Sequence, residues 1–147
     1  ELAEMPWVGG VSTVPDLFRF AEMLRQGGSL DGQRIVSKAM LRLATRNWTG
    51  DKPNELYKSI AINHGWEAYP AYIGLGFGLA GEQICPNLFG TLTSPATYGH
   101  YGSGSTLFWV DPGLDMTFVC LTAGVMQAAP NIERFQRLSD IAASAAL

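Results

Sequence analysis

Two periods in the hydrophobic positions divide this chain into a helical part followed by a strand-rich part. Near the start, apolar residues recur at helical spacing and form one face: Leu17, Phe18, Ala21 and Leu24. Thr13 is a suitable N-cap for this helix, Asp16 supplies the acidic half of a capping box, and Gly27-Gly28 supplies the end. A second, shorter helix is predicted to begin after Ser37 as its N-cap.

Beyond residue 72 the pattern changes to the period of two that is typical of strands. Residues 73–80 alternate large apolar residues with glycine and are predicted to form a strand. Residues 104–110 and 116–122 are apolar runs on either side of an Asp-Pro-Gly turn, which predicts an antiparallel hairpin. Residues 131–146 are predicted to be helical, with one apolar stripe: Ile132, Phe135, Leu138, Ile141 and Ala145.

These elements predict an α+β fold, in which a sheet of three C-terminal antiparallel strands is flanked by helices on one face. The remaining segments, 50–71 and 81–97, are predicted to be loops. Three strands leave two open edges, and an apolar hairpin is a poor edge to expose. We therefore expect residues 1–147 to be part of a larger domain, with its helical part at about 9–50 and its sheet and last helix at about 72–147.

Composition argues against several classes of function. The net charge is −3 and no basic cluster occurs, so a nucleic-acid partner is not expected. No apolar run reaches the length of a membrane span. The two histidines have no acidic cluster beside them, and Cys85 and Cys120 lack metal-ligand spacing. We therefore expect neither a metal nor another cofactor, and we expect both cysteines to be free thiols.

The segment richest in candidate chemistry is Tyr98-Gly99-His100-Tyr101-Gly102-Ser103-Gly104-Ser105. A histidine between glycines can face a cleft while bare backbone approaches a ligand, and a backbone N–H there can be directed at an oxyanion. The same residues equally allow His100 to be a turn residue among glycines that only shape the turn. Four aromatic residues leave a similar choice between lining an acyl pocket and ordinary packing: Trp48, Trp66, Tyr69 and Tyr72.

An ordered set of short motifs resembles the class C β-lactamase-like serine hydrolases, a family that includes esterases and penicillin-binding proteins. The run from Gly9 to Phe20 resembles the family's GG-x-x-ST-x-x-D helix entry, and Gly27-Gly28-Ser29-Leu30-Asp31-Gly32 is similar to its next segment. Gly74-Leu75-Gly76-Phe77-Gly78 resembles the family's GLGF strand. His100-Tyr101-Gly102 falls where the family has its third catalytic box, and Phe108 to Pro112 matches the strand and turn that follow.

The resemblance implies that residues 1–147 are the C-terminal fragment of a β-lactamase-like serine hydrolase domain, with a partial β-lactamase/transpeptidase-like fold and a small-molecule ester or amide substrate. It implies that the His100 side chain faces the substrate and that the Ser103 backbone N–H contributes to an oxyanion hole. It also implies substrate-binding positions at Tyr101, Gly102 and Gly104. Because histidine replaces the lysine of β-lactamases, the box lacks a permanent cation for a substrate carboxylate, which favours an esterase. Family members are often secreted or periplasmic, but nothing in this sequence indicates a compartment.

Two family motifs are absent from the 147 residues. No serine is followed three positions later by lysine, and no tyrosine begins a Tyr-x-Asn motif, although the family uses Ser-x-x-Lys for its nucleophile. We expect these motifs to lie in a missing N-terminal half, which would be this chain's partner, and the chain alone to be inactive. Two alternatives stay open: a non-catalytic ligand-binding module of the same fold, and a small unrelated α+β domain.

Overall fold

The computed structural model describes residues 10–102 and 105–146, and within these ranges the chain forms four helices and six strands. In chain order they are α1 (Val14–Arg25), β1 (Ser29–Leu30), β2 (Gln33–Arg34), α2 (Lys38–Ala44), α3 (Lys58–Asn63), β3 (Gly78–Leu79), β4 (Tyr98–Gly102), β5 (Thr106–Asp111), β6 (Met116–Leu121) and α4 (Ala128–Ser144). The α+β class predicted from the sequence is confirmed. No helix in the described ranges is long and apolar enough to cross a membrane.

Both ends of α1 follow from residues identified in the sequence. The Asp16 backbone N–H donates to Thr13 Oγ1 at 3.3 Å, and the Thr13 hydroxyl donates to the Asp16 carboxylate at 2.8 Å. At the other end Gly27 takes a left-handed conformation with φ of 71°, and the Gly28 N–H donates to the Met23 carbonyl at 2.9 Å. These bonds satisfy backbone groups that every helix end leaves unpaired. Ser37 caps α2 in the same way.

The main sheet has four strands in the order β3-β4-β5-β6, and every neighbouring pair is antiparallel. The hairpin of β5 and β6 is confirmed, but the prediction that residues 73–80 lie directly beside it is wrong. The segment Tyr98–Gly102 forms a strand of its own and separates them. Two of its five residues are glycines, which have low strand propensity, so the sequence pattern does not indicate a strand here. Glycine is needed at position 99 because an added Cβ would collide with the Phe108 carbonyl oxygen of β5.

Residues 73–80 form a tight reversal instead of one continuous strand. Ile73 bridges to Gly78, and the Gly74 N–H donates to the Phe77 carbonyl at 2.8 Å. Gly76 has a φ of 79° between them, a conformation that glycine adopts at no steric cost. Only the two residues of β3 continue into the sheet. The alternating glycines therefore mark a turn and close approaches of backbone rather than one strand.

The sheet is covered on both faces, so the prediction of helices against one face is also wrong. Alternate residues of β5 point to opposite sides of the sheet and join two buried clusters. The cluster beneath α1 contains Ala21, Met23, Leu24, Tyr98, Phe108 and Val110. The cluster beneath α4 contains Ala80, Leu88, Phe89, Leu107, Trp109, Ile132 and Phe135. The unbroken apolar run of β5 is typical of a strand buried on both faces.

The last helix starts at Ala128, slightly before the predicted residue 131, and its buried stripe differs from the predicted one. Ile132 and Phe135 are buried as expected, but Ile141 is 69% exposed. Ser139 is fully buried in its place. Its hydroxyl accepts from Trp109 Nε1 at 3.0 Å and donates to the Leu88 carbonyl at 2.8 Å. A buried serine with both bonds satisfied is invisible to a search for apolar periodicity.

The turn between β5 and β6 also anchors the long segment before β4. The Asp111 carboxylate is buried and accepts from the backbone N–H groups of Gly113 at 2.8 Å and Leu114 at 3.0 Å. It accepts in addition from the Ser94 N–H at 2.6 Å. One carboxylate thus closes the turn and attaches the end of the 81–97 segment to the sheet.

Candidate active site

A cavity of about 510 Å³ lies at the β3 edge of the main sheet. Its wall is formed by β3 and the end of β4 on one side, and by residues from 54–57, 69–73 and 85–89 on the others. Three sequence-predicted site residues line it together: His100, Tyr101 and Gly102. The volume falls in the range of about 300–1,000 Å³ that is usual for small-molecule sites.

Strand β4 presents these residues to two sides of the sheet. His100 is opposite Phe108 and Gly102 is opposite Thr106, so both lie toward the face that α1 covers. Tyr101 is opposite Leu107 and lies toward the α4 face, where its ring centroid is 6.3 Å from that of Tyr57. The His100 side chain is exposed. All three residues nevertheless line one cavity at the edge of the sheet. A ligand at the end of β4 can therefore contact an imidazole, an aromatic ring and bare backbone together.

Ser103 and Gly104, the predicted oxyanion-hole and substrate-binding positions, lie outside the described residues. The structure does describe how the backbone enters β5 after them. The Ser105 N–H donates to the Gly102 carbonyl at 3.0 Å, and the Thr122 hydroxyl donates to the Ser105 carbonyl. Ser105 is fully buried and has a φ of 65°, which glycine adopts more easily than serine. The predicted roles of all five site residues stay predictions.

Aromatic side chains from the 50–89 segment form part of the remaining wall. Tyr69 and Tyr72 line the cavity, which is one of the two arrangements that the sequence left open. The other two aromatic candidates lie elsewhere. Trp48 stacks beneath the Arg46 guanidinium at 4.8 Å, and the Trp66 ring lies 5.3 Å from that of His64, which is exposed.

Sequence reasoning assigned most of the other wall residues to no site, and these include Tyr57, Cys85 and Phe89. Tyr57 precedes α3, a helix within the segment that was predicted to be a loop. Phe89 belongs to the cluster beneath α4, and its ring lies against Gly78 of β3. None of these residues has a distinctive neighbour in the sequence, so only tertiary folding brings them to the cavity.

The described part of the wall contains no Lys, Arg, Asp or Glu. Burial, helped by the nearby Cys85 thiol, raises the pKa of Tyr69 to about 12. Burial also raises the pKa of Tyr101 and that of Cys85. The phenols therefore stay protonated hydrogen-bond donors at neutral pH, and the thiol stays a weak nucleophile.

Tyr72 lines the cavity and has an unusual backbone conformation. Its φ of 45° is rare for a bulky residue, and its ring lies directly over Gly81, where a Cβ would collide with it. Burial, and after it the carboxylates of Asp51 and Glu82, raises the pKa of Tyr72. Strained residues of this kind concentrate at ligand sites because the surrounding structure must enforce them.

The described residues supply a binding cavity without an activated nucleophile. No described serine lines the wall, in keeping with the absence of Ser-x-x-Lys from the sequence. The described residues also contain no group of three or more His, Cys, Asp or Glu side chains placed to hold a metal ion.

Comparison with known proteins gives a consistent result. The Beta-lactamase family model matches residues 1–143. A crystal structure of a β-lactamase from Mycobacterium bovis superposes with a TM-score of 0.71 and 28% identity, and the match covers 92% of this chain and 44% of that one. The esterase/β-lactamase LipL of Mycobacterium tuberculosis is 26% identical over 117 residues, which are 79% of this chain and 23% of that protein.

An uncharacterised protein of Mycobacterium tuberculosis is 28% identical over 124 residues, or 77% of this chain. The match covers 27% of that relative, so this chain spans about a quarter of the length of the curated relatives it matches. The motif order, the four-stranded antiparallel sheet between helices and the family match over nearly the whole sequence agree. The chain belongs to the β-lactamase family and has its serine-hydrolase-like fold.

Proposed function

We propose that this chain forms the substrate-binding side of a serine acyl hydrolase of the esterase type. The observation that carries the proposal is that β4 brings His100, Tyr101 and Gly102 to the wall of one cavity. In this proposal the His100 imidazole contacts the substrate, and the Ser103 backbone N–H donates to the oxyanion. The nucleophile comes from a Ser-x-x-Lys motif in a polypeptide segment outside these 147 residues.

Two features support acyl transfer and, within it, an esterase. The family relatives include proteins named as a β-lactamase and as an esterase/β-lactamase, which share acyl transfer to water. The third-box position here carries His100 in place of a lysine, so it offers no permanent cation for the carboxylate of a β-lactam or peptide. Ester or amide carbonyls without an adjacent carboxylate suit such a box.

A second candidate function is non-catalytic ligand binding on the same fold. It is favoured by one observation, which is that the described cavity wall contains no serine and only a protonated thiol. The two functions differ in what the cavity does after binding. An enzyme turns over its ligand and depends on His100 for rate, whereas a binding module retains its ligand unchanged.

The deciding experiment measures p-nitrophenyl ester hydrolysis by the protein that carries this chain together with a Ser-x-x-Lys segment. His100→Ala should lower kcat by about 10²-fold because a hydrogen bond made in the transition state is lost. The thermal midpoint should change little because the His100 side chain is exposed. His64→Ala is the matched control, since His64 is exposed and is not among the residues of the cavity wall.

Gly102→Val tests the same strand through its backbone. A Cβ at position 102 would lie 2.6 Å from Thr106 Oγ1, so the larger side chain must displace Thr106 or project toward the substrate. We expect a loss of kcat/KM that exceeds the loss of stability. Wild-type kinetics in both His100→Ala and Gly102→Val would refute the assignment of this strand as the catalytic box. Hydrolysis that is absent even with the Ser-x-x-Lys segment present would favour the binding module.

A further inference from the structure

The chemistry of the cavity wall restricts the substrate further than the reaction class does. Its described residues are mainly aromatic and aliphatic, and Asn54 and Asn87 are the polar side chains among them apart from the tyrosines, Cys85 and His100. A carboxylate that enters such a wall loses its hydration without gaining a fixed positive partner. Burial of an unpaired charge is among the most costly changes in a protein interior.

The aromatic rings provide the corresponding attraction for an apolar group. Tyr57 and Tyr101 form a tilted pair with 6.3 Å between ring centroids, and Tyr69 and Phe89, which also line the cavity, are almost completely buried. An acyl chain that lies in the cavity against these aromatic side chains gains contact area with each added methylene. The protonated phenols can donate to an uncharged oxygen of the same ligand.

We propose that this cavity binds the acyl group of an uncharged ester with an apolar alkyl or aryl chain and discriminates against ligands that carry a carboxylate. The inference rests on the proposed function for its identification of an ester. Its test measures binding alone, so it does not depend on a nucleophile.

The chain carries its own reporter for occupancy of the cavity. Cys85 lines the wall as a free thiol, whereas Cys120 is a free thiol on β6 and is not part of the wall. A ligand in the cavity should slow alkylation of Cys85 and leave Cys120 unaffected. Because burial raises the pKa of both thiols, alkylation by iodoacetamide is followed at pH 8.5, with the two cysteine-containing peptides quantified separately.

The probes are methyl butanoate, methyl pentanoate and methyl hexanoate, each paired with the carboxylate of the same chain length. We expect methyl hexanoate to protect Cys85 at a concentration at least tenfold below that needed for hexanoate. The half-protecting concentration of the esters should fall by about fourfold per added methylene. Cys120 should react at the same rate throughout.

Two variants locate the effect. Ala71 lines the cavity, so Ala71→Trp should fill it and raise the half-protecting ester concentration at least tenfold. Ala68→Trp is the matched control, because Ala68 is exposed nearby in the same segment and is not a wall residue. An unchanged Cys120 alkylation rate shows that each variant is folded, and if Ala71→Trp fails this criterion the chain-length series decides alone.

The inference is overturned if a carboxylate protects Cys85 as well as its methyl ester does, if no probe protects Cys85, or if Cys85 and Cys120 are slowed equally. These outcomes are separate from failure of the proposed function. Selective protection by esters, in a protein whose His100→Ala variant keeps wild-type kcat, would support the pocket and refute the catalytic role of the strand.

Discussion

The sheet and its two long helices are built differently from the segment that walls the cavity. In the first region β5 is buried on both faces, and the helices α1 and α4 cover the two clusters. In the second region, residues 45–97, regular structure is limited to α3 and the two residues of β3, and the isolated bridges Pro53–Pro70 and Ile73–Gly78 connect the chain. Buried core packing is concentrated in the first region, and most of the aromatic residues of the cavity wall lie in the second.

Strand β4 belongs to both regions. Its first residue, Tyr98, is buried in the cluster beneath α1 and its hydroxyl donates to the Leu24 carbonyl at 3.3 Å. Its last three residues line the cavity. A sheet strand can thus hold the proposed site residues in place while the irregular segment adapts the wall to a ligand.

Trp109→Ala should have the largest effect, because it removes the centre of the stable region. Trp109 is fully buried, stacks on Phe118 with ring centroids 5.2 Å apart, and donates to Ser139. Loss of a buried tryptophan costs about 3–5 kcal/mol of unfolding free energy, and the buried Ser139 hydroxyl loses its partner. Urea denaturation measures the change.

Trp48→Ala is the matched comparison in the irregular region. Trp48 is 48% exposed, and its Nε1 donates to the Leu43 carbonyl at 3.0 Å. Its removal should cost about 1 kcal/mol or less. Equal destabilisation by the two tryptophan substitutions would contradict the division of the molecule into a stable and an adaptable region.

Local signals made the stable region largely predictable from the sequence. Thr13 and Gly27 mark the ends of α1, and an Asp-Pro-Gly turn between two apolar runs marks the hairpin of β5 and β6. Such features depend on the nearest few residues, so they are readable without knowledge of the fold. The family motifs likewise located His100, Tyr101 and Gly102, which meet at the cavity.

What the sequence did not predict depends on contacts between distant segments. Strand β4 has glycine at two of five positions, so its strand conformation is decided by pairing with β3 and β5 rather than by its own preference. Ser139 is buried because Trp109 and Leu88 need its hydroxyl. Tyr57 and Phe89 reach the cavity only through the path of the 50–89 segment.

Asp111→Asn should have the next largest effect, since this carboxylate joins the two regions. Burial alone would raise the pKa of Asp111, but hydrogen bonds from the Ser94 hydroxyl and backbone N–H and from the Leu114 N–H outweigh it and lower the pKa. In Asp111→Asn the side-chain NH₂ group would replace one carboxylate oxygen and would face N–H or O–H groups that need an acceptor. We expect a cost of about 1–3 kcal/mol at pH 7.

The pH dependence follows from the lowered pKa. Because the folded protein holds Asp111 ionised to a lower pH than the unfolded chain does, its contribution is complete above the ordinary aspartate pKa of about 4 and is lost as the pH falls below it. Thermal midpoints between pH 7 and pH 2.5 should therefore converge for the wild type and Asp111→Asn. Asp51→Asn is the control, since Asp51 is exposed and forms no ion pair among the described residues. A constant difference between the two thermal midpoints across this pH range would rule out the ionised Asp111 carboxylate as the group that joins the two regions.

Ser105→Gly should have the smallest effect and the opposite sign. Ser105 has a φ of 65°, and its buried Oγ has no hydrogen-bond partner among the described residues. Glycine removes a left-handed penalty of about 1–2 kcal/mol and the unsatisfied hydroxyl, while its greater freedom in the unfolded chain costs about 0.5–1 kcal/mol. The expected net gain of about 0.5–1 kcal/mol should raise the thermal midpoint by about 2–4 °C.

Ser105→Ala keeps the backbone penalty and removes only the hydroxyl, so it separates the two contributions. Ser105 lies two positions after Ser103, the proposed oxyanion-hole residue, and strain at such a position is expected to serve the geometry of the site. Ser105→Gly should therefore be more stable and yet slower in ester hydrolysis when the Ser-x-x-Lys segment is present. A variant that gains stability with unchanged kcat would show that the strain has no part in positioning the turn after β4.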